Sequence, residues 1–202
     1  MRVPGAEGDE LRRLADAARR LIECTVSVDA PAEELAAAAE RVETVADTLE
    51  RWVPSEPTFD LPDLRQTRRP QQLFPMSPVV GHFNPLAPPV EVWADGARIE
   101  GRAWFGSAYE GPPGCVHGGV IAGTFDELLG LANVLYETAG MTGRLVVRYR
   151  RPTPLRTELR VAAETEAVRG RKITTHGWIW HGDELTAEAE GLFVMARERV
   201  RR

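Results

Sequence analysis

A histidine, two glycines and an aspartate stand close together in the stretch 111–139, GPPGCVHGGVIAGTFDELLGLANVLYETA. His117-Gly118-Gly119 follows a Gly/Pro-rich loop, and Asp126 comes nine residues after the histidine. Glycines let another group approach the backbone closely. At the start of a helix their N–H groups also lack intrahelical partners and sit at the positive end of the dipole. Such donors can hold an oxyanion, and a carboxylate can activate water or attack an electrophilic carbon itself. Asp126 therefore reads as base or nucleophile, with Gly118 and Gly119 as oxyanion donors. Two roles stay open for His117: direct participation, or hydrogen bonding that orients the glycines.

These residues need a rigid support, and the pattern behind them supplies one. Val120, Phe125, Leu128, Leu129, Ala132 and Leu135 recur at helical intervals with hardly a polar face between them. A helix so apolar is expected to be buried on most sides, as by a sheet wrapped around it. Burying a carboxylate without a partner costs several kcal/mol, so Asp126 requires an explanation. Glu127 is expected on the other side of the helix, toward solvent or a salt bridge. Gly119 and Asp126 lie two turns apart on one face, roughly 10 Å along the axis. One carbonyl carbon cannot touch both, so a second subunit is expected to supply one of them.

The flanking chain reads as strands around that helix. Val90–Trp93 and Ile99–Phe105 flank the hairpin signal Asp95-Gly96. After the helix, 144–151 alternates with Leu145, Val147 and Tyr149 on one side, and Glu158–Val168 alternates likewise. Arg169-Gly170 and His181-Gly182-Asp183 turn the chain into 171–180 and then 185–196. Two strands, one long helix and four strands predict an α+β layer with an antiparallel sheet.

Ahead of this come two helices and a proline-rich stretch. Residues 9–24 are amphipathic, and Asp29-Ala30-Pro31 opens a second helix to about Trp52. That helix carries Leu35, Ala38, Val42, Val45, Leu49 and Trp52 as a stripe, expected to pack on the first helix or the main domain. Nine of the fifteen prolines fall in 53–89, with enough apolar residues to suggest a segment covering the domain, held most tightly at Ser77–Pro85. The expected divisions are a helical extension over 1–53, a covering segment over 54–88 and the main domain over 89–202.

Composition narrows the classes. The 202 residues are 43% hydrophobic and 27% charged, as in a soluble globular chain. Residues 1–52 hold 12 acids and 7 bases, so the net charge of −5 resides there and the remainder is neutral. Nothing in this balance suggests a nucleic-acid partner. No signal-peptide pattern is present, and a cytoplasmic protein without membrane attachment is expected. Cys24 and Cys115 form no disulfide framework, and Cys115 reads as a loop thiol. The four histidines have no acidic partners at metal spacing, so no metal is expected.

The order of elements, P-P-G-x-x-H-G-G before the helix and the spaced Asp126 resemble the hotdog-fold acyl-CoA thioesterases, in particular their PaaI-like branch. Met141-Thr142, Tyr149-Arg150-Arg151-Pro152-Thr153-Pro154-Leu155 and Arg169-Gly170-Arg171-Lys172 extend the likeness over about 88–196. The resemblance implies an antiparallel sheet around a central helix, hydrolysis of acyl-CoA without a cofactor, and sites at the interface of a homodimer or higher oligomer. It also implies that Thr142 holds the attacking water or the carboxylate, and that Arg171 and Lys172 contact coenzyme A. Arg148 and Arg150 share a strand face by i, i+2 spacing and would serve its phosphates as well. Two other readings fit the same fold: an enoyl-CoA hydratase or dehydratase, and a non-catalytic acyl-CoA sensor or structural subunit.

Overall fold

Alternating apolar and polar residues build the sheet. In the computed structural model, residues 6–55, 73–136 and 138–196 are described, with side chains from residue 8 onward. The strands are β1 (Val90–Asp95), β2 (Arg98–Trp104), β3 (Met141–Tyr149), β4 (Glu158–Arg169), β5 (Lys172–His181) and β6 (Glu184–Val194). They form one antiparallel sheet in the order β1-β2-β4-β5-β6-β3. The expected hairpins close at Gly96, Gly170 and Gly182, all with φ near +60° (61°, 59° and 58°), where side chains with a Cβ are strained.

The long apolar helix, α3 (Gly118–Leu135), packs on one face of this sheet against β2, β3, β4, β5 and β6. Phe125, Leu128, Leu129 and Ala132 are completely buried there. Burial of each large side chain contributes about 1.5–3 kcal/mol. The helix sits close because Gly177 and Gly191 leave space: a Cβ at either would come within 3.0 Å of Leu129. By length and composition α3 could cross a membrane, but here it is the core helix. The arrangement is the hotdog fold.

The N-terminal helices are α1 (Ala6–Ser27) and α2 (Ala32–Glu50). Arg19 on α1 is the joint between helix and domain. Its Nε donates to Ala87 O at 2.9 Å, and Nη2 reaches the carbonyls of Gly81, His82 and Asn84 at 3.0, 2.9 and 2.8 Å. Glu23 accepts from the N–H groups of Ser107 and Ala108, which start a short 3-10 turn. The segment 73–89 thus lies between α1 and the core, with Leu73, Val80 and Ala87 buried.

Arg19→Ala is expected to lower stability by about 3 kcal/mol, roughly 6–12 °C in Tm, because several carbonyls lose a charged donor at once. Arg19→Lys should restore little, since an ammonium cannot span the same oxygens. Thermal melts of the three proteins check this.

The second helix departs from expectation. None of its residues is buried, and Leu35, Val42, Val45 and Leu49 remain 41–53% exposed. Arg19, Glu23 and the buried Ala15 commit α1 to the domain, and no described element of the chain covers the stripe of α2.

Candidate active site

The loop before α3 is tied down on both sides. Val116 N–H donates to Thr153 O and Leu155 N–H to Gly114 O, so the Pro152–Leu155 segment forms its floor. His117 N–H donates to Tyr109 O, and His117 O accepts from Val120 and Ile121, the first turn of α3. His117 is the N-cap: its Nδ1 accepts from Gly119 N–H at 3.0 Å. As an acceptor Nδ1 is unprotonated, which puts the ring proton of the neutral imidazole on Nε2.

This bond revises the reading of the glycine pair. Gly119 N–H is occupied by the His117 ring and is not an available oxyanion donor. Gly118 N–H has no partner among the described residues and stands at the positive end of α3. Tyr149 Oη donates to Gly118 O at 2.8 Å. Alternation groups Tyr149 with Leu145 and Val147, and only the fold brings its phenol to the helix start.

Two turns along α3, Asp126 is exposed and receives a hydrogen bond from Thr142 Oγ1 at 2.7 Å on its Oδ1. Strict alternation from Leu145, Val147 and Tyr149 would turn Thr142 to the opposite face. A bulge between Thr142 and Arg144 resets the register, pairing Thr142 with the buried Phe193 and turning it toward α3. Thr142 and Asp126 therefore meet, and Tyr149 and Gly118 meet at the other end, so α3 and β3 run in opposite directions.

Glu127 also differs from its expected place. It is half-buried beneath the segment 73–89, accepting from the hydroxyl of Ser77, whose Oγ itself accepts from Val79 and Val80 N–H. Burial raises its pKa above the ordinary carboxylate value, the Ser77 bond opposes this and the Asp126 charge adds to it. The folded chain then binds this proton more tightly than the unfolded chain. Stability falls as pH rises from the unfolded pKa through the folded one, and the cost is complete above both. Glu127→Gln is expected to raise Tm by about 1–3 °C at pH 7–8 and to have little effect near pH 4, read by melts at both pH values.

The four cations do not form one cluster within the chain. Arg148 and Arg150 do share a face, where both reach Glu188 Oε1, at 3.5 and 2.5 Å, and hold its pKa below the usual range. Arg171 donates through Nε and Nη2 to Met195 O at 2.9 and 2.7 Å, and Lys172 is exposed. Lys172 and Met141 both pair with Val194, which puts the 171–172 hairpin at the Thr142 end of the sheet. Arg150 lies eight residues from Thr142, beyond the far end of β3, about 26 Å away along an extended chain.

Other candidates resolve as structural contacts. His176 lies 2.9 Å from Glu166 and stacks on Trp178, and His181 is near Thr157. Cys115 Sγ contacts Pro113 O, and Cys24 is exposed on α1. Among the described residues no three His, Cys, Asp or Glu side chains gather as metal ligands.

An unpartnered helix-terminal N–H and a threonine-held carboxylate on the central helix of a hotdog fold define a candidate acyl-transfer site. The profile of the thioesterase superfamily matches residues 113–188. A crystal structure of a thioesterase superfamily protein is 38% identical, covers 91% of this chain and 94% of its own, and superposes with a TM-score of 0.80. The chain belongs to the thioesterase superfamily. It is also 39% identical over 92 residues to acyl-coenzyme A thioesterase THEM4 of Xenopus laevis, covering 44% of this chain and 41% of that one. The corresponding Mus musculus protein is 36% identical over 87 residues, covering 42% and 37%. The match thus spans about two fifths of the length of these curated relatives.

Proposed function

We propose that the protein hydrolyses an acyl-CoA thioester to the free acid and coenzyme A. The observation that carries this reading is the Thr142–Asp126 bond on the same helix as the unpartnered Gly118 N–H. Membership of the superfamily and the likeness to the THEM4 proteins support it. Asp126 takes a proton from water, the hydroxide adds to the thioester carbonyl, and Gly118 N–H stabilises the oxyanion. Collapse breaks the C–S bond, and the proton held by Asp126 passes to the departing thiolate. Thr142 occupies Oδ1 of the carboxylate and leaves Oδ2 for the water.

Within one chain Gly118 and Asp126 are too far apart to act on one carbon, so the site is composite. β3 is an edge strand, and α3 runs antiparallel to it. Antiparallel pairing of β3 with that of a second copy brings Thr142 of one opposite Tyr149 of the other. The carboxylate of one copy then approaches the helix start of its neighbour. The same two-fold brings the 171–172 hairpin of one copy toward the Arg150 end of the other, where these cations serve the phosphates of coenzyme A.

Thiol release from a panel of short, long and aromatic acyl-CoAs tests the activity. Turnover of at least one class is expected. No release from any of them, or hydration of an enoyl-CoA in its place, would overturn the reading.

A further inference from the structure

We infer that Tyr149 is the positioning residue of the oxyanion site, its phenol fixing the Gly118–Gly119 peptide so that Gly118 N–H points at the substrate carbonyl. The inference rests on the thioesterase reading and extends it to a residue outside the carboxylate and the glycine pair.

The peptide between Gly118 and Gly119 is held at both ends. Its carbonyl accepts from Tyr149 Oη at 2.8 Å, and its N–H donates to His117 Nδ1 at 3.0 Å. A peptide unit is planar, so two bonds at opposite edges set the orientation of the plane. That matters at this position because glycine has the widest backbone freedom of any residue, and two stand in succession. Oxyanion stabilisation depends on donors already aimed before the charge develops. With the following peptide locked, the rotation at Gly118 that would swing its own N–H away is restrained.

Tyr149 is placed for this by distant parts of the chain. It ends β3 on the side of Leu145 and Val147, both packed against the core, so the strand delivers the phenol to the start of α3. Its ring would stand 3.4–3.5 Å from a Cβ at Gly118, an ordinary contact, and Gly118 has no positive φ. Neither backbone strain nor the packing of this chain therefore demands glycine at 118. Glycine at 118 leaves its N–H unshielded by any side chain of its own. His117 supplies the other clamp, which also accounts for an exposed histidine whose ring faces its own helix.

The test is steady-state thiol release by wild type, Tyr149→Phe and Tyr149→Ala on the best acyl-CoA of the panel, with coenzyme A binding by calorimetry and thermal melts. Tyr149→Phe is expected to lower kcat about tenfold while KM and coenzyme A affinity stay within about twofold, the signature of an interaction used in the transition state. Its Tm should stay within about 2 °C of wild type, because one exposed hydrogen bond is removed. Tyr149→Ala should lose at least as much in kcat. Wild-type kcat in Tyr149→Phe, a loss confined to KM, or a loss that follows a fall in Tm would each overturn the positioning role while leaving the thioesterase reading in place. A wild type inactive on the whole panel would overturn that reading, and this inference with it.

Discussion

Replacing Asp126 by Asn is expected to lower kcat for acyl-CoA hydrolysis by about 10²-fold or more, the scale of losing a general base. The substitution is nearly isosteric, and the amide oxygen of Asn can still accept the hydrogen bond that Thr142 Oγ1 gives to Oδ1. Position is therefore kept and basicity removed. Asp126 is exposed, so its replacement should leave Tm and coenzyme A affinity close to wild type. Stopped assays of thiol release, with melts and binding measured on the same preparations, separate these effects. Near-normal turnover by the Asp126→Asn protein would remove the carboxylate from the mechanism.

A mixture of two inactive proteins is expected to recover activity. One carries Asp126→Asn, and the other carries Gly118→Val, which places a branched side chain beside the unpartnered N–H. Gly118 is the position to block, because the N–H of Gly119 is already bonded to His117. In the proposed two-fold dimer each site takes its donor from one subunit and its carboxylate from the other. In a heterodimer one site then collects both lesions and the other collects neither. Each heterodimer should regain about half the wild-type rate, and a fully exchanged equimolar mixture about a quarter. If each site were built within one chain, every site would keep a lesion. No recovery, with exchange shown by tagged pull-down, would refute the shared site.

Much of this molecule is legible in its sequence. Alternation at 144–151 and 158–168, the Asp95-Gly96 and Arg169-Gly170 turns and the apolar spacing of 120–135 are local signals, and each produced the element it implied. Gly118, Gly119 and Asp126 were visible as two glycines at a helix start and a carboxylate two turns further along it, because helical geometry converts sequence separation into distance.

What the residues around the site do was decided only by tertiary structure. Thr142 faces Asp126 because a bulge interrupts β3, and alternation read from the following residues would have turned it away. Glu127 looked solvent-facing, yet a segment fifty residues earlier roofs it through Ser77. The two glycines were equivalent as a sequence, and the His117 ring and the Tyr149 phenol made them different. Its spacing predicts a packed stripe on α2, but α1 gives its polar contacts to the segment 81–87 and to residues 107–108, and no residue of α2 is buried. Periodicity reports only which way a side chain leaves the backbone. Which polar group is satisfied, which is buried and which is left free depends on atoms brought together from far apart in the chain.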